Sequence, residues 1–203
     1  MTTQDINHKL VCGLGNPLTV APELSLHNVG FMAVDELARE YSADPNQVSW
    51  RETDSAMCLD VNLAEVSFTL VKPLHIDINS SGVPVRALAQ EYNCKPENII
   101  IIHDDLDVSL GQVKFKQGVS SDRHNGVKSI KEELQSENFL RIKGGVGKPS
   151  NKEISLLDWV KGPIEENMLP HIIKLVSELC DILKITIKNG VEAGRGRASK
   201  IAK

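Results

Sequence analysis

Four consecutive β-branched residues, Ile99-Ile100-Ile101-Ile102, run directly into His103-Asp104-Asp105-Leu106-Asp107. The run is too short and too stiff at χ1 to make a helix of its own, and it reads as a buried parallel strand. The three carboxylates fall where that strand ends. In open α/β sheets, ligand sites lie outside the carboxyl ends of strands. Next, Gln112-Val113-Lys114-Phe115-Lys116 alternates so that Lys114 and Lys116 point to one face. A loop from Gly118 to Arg123 leads to His124-Asn125-Gly126, which opens a new apolar-periodic stretch. Acids, a lysine pair and a polar helix start therefore lie in one supersecondary unit.

The flanking segments alternate between strand and helix. Lys9 to Leu14 reads as a strand closed by the turn Gly13-Leu14-Gly15-Asn16-Pro17. Phe31, Val34, Leu37, Ala38 and Tyr41 recur at helical spacing, which places His27 and Asn28 at or just before a helix start, with Asn28 as a candidate N-cap. Asp44 to Asp54 has no clear period. Ala56 to Val61 and Val66 to Val71 read as two antiparallel strands, ended by Lys72-Pro73. A polar loop carrying His75, Asp77 and Asn79 precedes a helix, capped by Ser80 or Ser81, on which Val85, Leu88, Ala89 and Tyr92 form one face. Val127, Ile130 and Leu134 mark the helix after Gly126, and Phe139 to Val146 reads as a further strand. Asn151 to Lys161 fits either state. Pro163 is expected at the first position of a long helix with Glu165 and Glu166 in its first turn, ending at Asn189-Gly190. One α/β domain over residues 1–192 is expected, its sheet mainly parallel with some antiparallel strands, followed by a basic, frayed tail over 193–203.

Charge is unevenly spread. The chain carries a formal net charge of −4, yet Gly111 to Lys152 holds nine Lys/Arg against four Asp/Glu. One basic patch on an acidic body is expected. Aromatics make up only 4%, too few for an aromatic RNA-stacking platform. Cys12, Cys58, Cys94 and Cys180 are far apart and read as small buried residues in a reducing compartment. No apolar run approaches membrane-span length, and the first ten residues show no export signal.

The polar candidates Asn16, His27, Asn79, Asp104 and Asn125 all fall at ends of elements. Each also has a plain structural reading: Asn16 as a turn residue, His27 as a surface-loop histidine. A helix N-terminus disfavours a cation, so a histidine there suits the role of neutral base. A carboxylate beside it fixes its tautomer. No GxSxG elbow, activated cysteine or zinc-spaced His/Cys cluster is present. Water is left as the nucleophile, with a histidine as base and an aspartate as orienter, a set that suits an activated ester. Sequence spacing alone leaves open whether these side chains converge.

From about Lys9 to Gly190 the chain resembles the bacterial-type peptidyl-tRNA hydrolases. The resemblance rests on Gly13-Leu14-Gly15-Asn16-Pro17, His27-Asn28-Val29-Gly30, Lys72-Pro73 with Asn79-Ser80-Ser81-Gly82, His103-Asp104-Asp105-Leu106-Asp107, Lys114-Phe115-Lys116 with His124-Asn125-Gly126, and Gly145-Val146-Gly147-Lys148-Pro149, in that order. It implies a single three-layer α/β domain, a mixed and mostly parallel sheet flanked by helices. It implies hydrolysis of the ester between a peptide and the tRNA 3′ end, without metal or cofactor. His27 would be the general base, Asp104 its orienter, and Asn16 would hold the water or the scissile carbonyl region. Asn79 and Asn125 would hold the peptide backbone and terminal tRNA nucleotides. Lys114, Lys116 and Lys143 would clamp the 5′-phosphate. A cytoplasmic monomer is expected, with a mitochondrial location as the alternative.

Departures from the family pattern are local. Leu18 stands where the family has a glycine, Ser25-Leu26 precedes His27 in place of Thr-Arg, and the family's tyrosine is missing. Ile78 replaces a methionine, Lys143 replaces an arginine, and the loop from Gly118 to Arg123 lacks most of its glycines. An RNA-binding relative without hydrolysis, acting as a splicing or ribosome-associated partner, is the second reading. An unrelated small α/β esterase is the third.

Overall fold

A computed structural model describes residues 8–74, 77–117 and 123–201. His75 and the loop residues 118–122 lie outside the described residues. Among the described residues the sheet has seven strands: β1 (Lys9–Gly13), β2 (Arg51–Glu52), β3 (Ala56–Asn62), β4 (Ser67–Pro73), β5 (Ile99–Asp105), β6 (Val113–Gln117) and β7 (Leu140–Gly145), in the order β2-β3-β4-β1-β5-β7-β6. β1 pairs in parallel with β4 and β5, and β5 with β7; β3 is antiparallel to β2 and β4, and β6 to β7. Five strands therefore share one direction. The isoleucine run is the central strand β5, as its two-sided apolarity requires, with Ile99, Ile101 and Ile102 fully buried.

Helices on both faces complete three layers. Helices α1 (Val29–Tyr41) and α5 (Leu169–Asn189) cover one face, sealing a core that includes Val11, Val34, Leu70, Ile100, Ile142 and Leu179. Helices α2 (Gly82–Glu91) and α3 (Asn125–Leu134) cover the other, around Leu10, Cys12, Val85, Ile101 and Ile130. The chain leaves β1 toward β4 on one side and crosses through α2 to β5 on the other. The crevice between the carboxyl ends of β1 and β5 is thus the topological switch point. All four cysteines are buried, and burial pushes the Cys58 and Cys94 thiols up to about 11.

Two expectations about the C-terminal part are corrected. Pro163 is not a helix-start residue. It forms an isolated antiparallel bridge with Ser25, and α5 begins six residues later with Pro170 in its first turn. The segment expected to fray is a helix, α6 (Val191–Ile201), so residue 193 lies inside an element. Tertiary packing overrides its weak helix propensity. A Cβ on Gly194 would lie 2.0 Å from Thr186 Oγ1, so that glycine allows close docking on α5. Arg195 lies 5.9 Å above the Phe115 ring of β6, and Ala198 is buried. The ambiguous stretch contains a short helix, α4 (Leu156–Lys161), capped by Ser155 Oγ accepting from Asp158 N–H. Arg51–Glu52 adds a short edge strand within the Asp44–Asp54 segment, which shows no clear period in the sequence.

The start of α1 is seated directly on the sheet backbone. A Cβ on Gly13 would lie 2.1 Å from the Gly30 carbonyl oxygen, and one on Gly30 would lie 2.4 Å from Ile102 O and Leu14 N. Backbone cannot step aside as a side chain can. Gly30→Ala is therefore expected to cost about 1–3 kcal/mol by overpacking and to displace the residues just before it. A urea titration reads the first effect. An unchanged midpoint would show that α1 is not held this closely.

Candidate active site

The close docking of α1 puts the 3₁₀ turn Leu26–Asn28 at the switch point, beside the end of β5. His27 Nδ1 lies 2.7 Å from Asp104 Oδ1, with the two side chains 12% and 4% exposed. An ionised carboxylate accepts, so Nδ1 carries the hydrogen and the Nε2 lone pair remains for a substrate proton. The same Asp104 Oδ1 also lies 3.1 Å from His124 Nε2, at the start of α3. Burial alone would raise the Asp104 carboxyl. The charges of His27 and His124 and their hydrogen bonds reverse this and hold it well below the usual carboxylate range. Asp104 therefore stays an anion at working pH.

His124 is the residue that sequence reasoning misses. His124-Asn125-Gly126 stands out as a motif, but the family resemblance assigns a role there only to Asn125. His124 occupies the N-cap position of α3 without capping it, because its ring turns to Asp104. His103 lies behind, its Nδ1 2.7 Å from the Asp104 backbone oxygen and its ring 4.7 Å from that of His124. One ring nitrogen each of His27 and His124 and a carboxylate oxygen of Asp104 all lie within 4.8 Å of one another.

Asn28 is not the side-chain cap expected. Its Oδ1 accepts from Asn16 N–H at 2.7 Å, and its Nδ2 donates to the carbonyls of Asn16, Pro22 and Glu23. Asn28 thus ties down the loop between β1 and α1. Asn16 is buried, and its Oδ1 accepts from Ile78 N–H at 3.0 Å, which leaves Nδ2 as its remaining donor. Asn16 lines a cavity on the α1–α5 side, whereas His27 and Asp104 line a cleft on the other side of the Leu26–Asn28 turn.

That cleft, about 700 Å³, also takes in Asn125, Lys114, Lys116 and Lys143. Asn125 is exposed. Lys114 pairs with Lys143 and Lys116 with Arg141 across the β6–β7 ladder, so all four bases share one sheet face. Lys114 and Lys116 are exposed, but Lys143 is held by Asp105 at 2.6 Å. Asn79 does not reach the cleft. It is exposed and its Nδ2 donates to Asp77 Oδ2 at 2.7 Å.

The fold and this centre define an α/β protein with a hydrogen-bonded His–Asp pair beside a basic cleft. The chain belongs to the peptidyl-tRNA hydrolase family, whose sequence profile matches residues 10–202. It is 35% identical to the peptidyl-tRNA hydrolase of Listeria welshimeri over 177 residues, which is 87% of this chain and 91% of that protein. It is equally identical to that of Thermodesulfovibrio yellowstonii, covering 90% and 94%. The crystal structure of peptidyl-tRNA hydrolase from Acinetobacter baumannii superimposes with a TM-score of 0.82 at 26% identity, covering 95% and 94% of the two chains.

Proposed function

We propose that this chain hydrolyses the ester joining a peptide to the 3′ end of tRNA, with His27 as general base and Asp104 as its orienter. The observation that carries the reading is the 2.7 Å approach of His27 Nδ1 to Asp104. His27 Nε2 takes a proton from water as the water oxygen bonds to the ester carbonyl carbon. The imidazolium so formed is stabilised by Asp104. The carbonyl carbon–ribose oxygen bond then breaks and the ribose oxygen takes the proton from His27. Free tRNA and a peptide acid leave. These steps call on no metal or cofactor. His124 holds the second side of Asp104, and Asn125 with the lysines receives the tRNA end. Asn79 bound to Asp77 is a peptide ligand only after changing partner. The functional unit is a monomer of the cytoplasm. The alternative of a non-hydrolytic RNA-binding relative draws support from no feature of the site. Release of deacylated tRNA from peptidyl-tRNA is the direct test; no release by the pure protein would refute the reading.

The lysines make a second expectation. Lysines that meet phosphates release counterions, so removing each such lysine should reduce the salt slope of tRNA binding by roughly 0.7–0.9 log units per log unit of salt. Lys114→Ala and Lys116→Ala should each do so. Lys143→Ala should do more, because it also leaves the Asp105 carboxylate uncompensated in the cleft. Lys174→Ala and Lys188→Ala, on α5, should change nothing. Removing the tRNA 5′-phosphate should reproduce the lysine effects and add little to them. Independent effects would mean that the lysines only guard a sheet edge.

A further inference from the structure

The His27–Asp104–His124 cluster offers more chemistry than ester hydrolysis uses. Its members are 77 and 20 positions apart in the chain, so no zinc-spaced motif announces them. Three elements bring them together: the 3₁₀ turn before α1, the end of β5 and the start of α3. Among the described residues they are the one group of three or more His, Cys, Asp or Glu side chains whose ligand atoms converge within 4.8 Å. Two imidazoles and a carboxylate are the donor set that holds Zn²⁺ in many hydrolytic metal centres, with the fourth position left to water.

The distances suit an ion of that size. Zinc bonds of about 2.0–2.1 Å at tetrahedral angles put neighbouring ligand atoms roughly 3.3 Å apart. Asp104 Oδ1 lies 2.7 Å from His27 Nδ1 and 3.1 Å from His124 Nε2. Opening these contacts by less than about 1 Å seats the ion among the three atoms. Each imidazole gives up the hydrogen that it points at Asp104, keeps one on its other nitrogen, and turns a lone pair to the metal.

The charges around the cleft allow a cation. Lys143 and Lys148 are already paired with Asp105 and Asp107. Lys114, Lys116 and Arg123 also line the cleft, but they are exposed to water, which weakens their repulsion. The fourth coordination position opens on the same cleft, so the ion has a path in.

An ion on His27 Nδ1 leaves the ring hydrogen on Nε2. That nitrogen then has no lone pair for the proton of water, and Asp104 no longer orients the ring. We infer that His27, Asp104 and His124 form a site for a divalent transition-metal ion of the zinc type, and that its occupation switches hydrolysis off. The binding stands on the geometry alone; the switch rests on the proposed role of His27.

The test is metal binding by the pure protein, with Zn²⁺ and Co²⁺ as probes. Calorimetry should show one Zn²⁺ site per chain. Co²⁺ should give the strong visible absorption of a tetrahedral centre, and Zn²⁺ should bleach it. His27→Ala and His124→Ala should each weaken Zn²⁺ binding by about 100-fold or more, beyond the 10–100-fold that loss of a supporting group costs. Either variant suffices if the other fails to fold. Mg²⁺ should not compete, because it keeps to oxygen ligands. With peptidyl-tRNA as substrate, turnover by the unmodified protein should fall as the site fills, and a chelator should restore it. Absence of binding would overturn the inference and leave the proposed reaction standing. Binding that survives both substitutions would overturn it too, assigning the ion to other residues. Binding with unchanged turnover, or turnover that rises with Zn²⁺, would sink the switch. A protein that binds Zn²⁺ through these residues yet hydrolyses no peptidyl-tRNA without it would sink the proposed reaction and the switch with it, while the site itself stands.

Discussion

Replacing His27 with alanine is expected to cut peptidyl-tRNA turnover by about 10²–10⁴-fold, the usual worth of a positioned general base. The loss should appear in kcat, because the proton moves only in the transition state. Folding should survive. His27 is part-buried and makes no core contact of its own, and the close approaches that seat α1 run through the Gly13 and Gly30 backbones instead. Matching urea midpoints for the two proteins would confirm that the loss is chemical. The substitution also leaves Asp104 paired with His124 alone, so tRNA affinity should change little. Near-normal hydrolysis by His27→Ala would mean that another group activates the water, and His124, which touches the same carboxylate oxygen, would be the first to examine.

How much of this arrangement is legible in the sequence depends on what fixes each feature. β5 is readable because four β-branched residues leave few options, and its exit into acids places the site. The lysine face follows from strand period alone. Tertiary packing hides the rest. Nothing local tells that Asn28 serves the Asn16–Glu23 loop rather than its own helix. Nothing local tells that His124 turns from the α3 terminus to Asp104, although two histidines flanking conspicuous acids are a usable signal. The glycines near the C-terminus resemble flexibility in one dimension and become close packing in three, as Gly194 against Thr186 shows. Pro163 has the right company for a helix start, but the bridge to Ser25 claims its backbone first. The cavity on the α1–α5 side is invisible because its walls come from α1, α5 and a loop far apart in sequence.

Asp104→Asn is expected to lower kcat by roughly 10³–10⁴-fold, as the same change does in hydrolytic triads. An asparagine amide beside His27 Nδ1 can donate. The ring then places its hydrogen on Nε2, the atom that must accept the proton from water. The imidazolium would also lose its buried counter-charge. KM should move far less, because the interaction strengthens only as His27 becomes protonated. The neighbouring acids give the controls. Asp105→Asn removes the partner of Lys143 and should affect tRNA binding more than turnover. Asp107→Asn, at a 56% exposed side chain paired with Lys148, should do little. Stability supplies a separate readout with a definite sign. Burial opposes the Asp104 charge, but the two imidazoles win, so its folded carboxyl titrates below the unfolded value of about 3.9. Such a group contributes stability in full above that value and loses it as the pH falls further. The difference in unfolding free energy between the unmodified protein and Asp104→Asn should therefore hold steady through the upper acid range and narrow below about pH 4. If all three substitutions slow turnover alike, and the gap does not narrow, Asp104 is one more acid in an acidic loop and the site must be sought elsewhere.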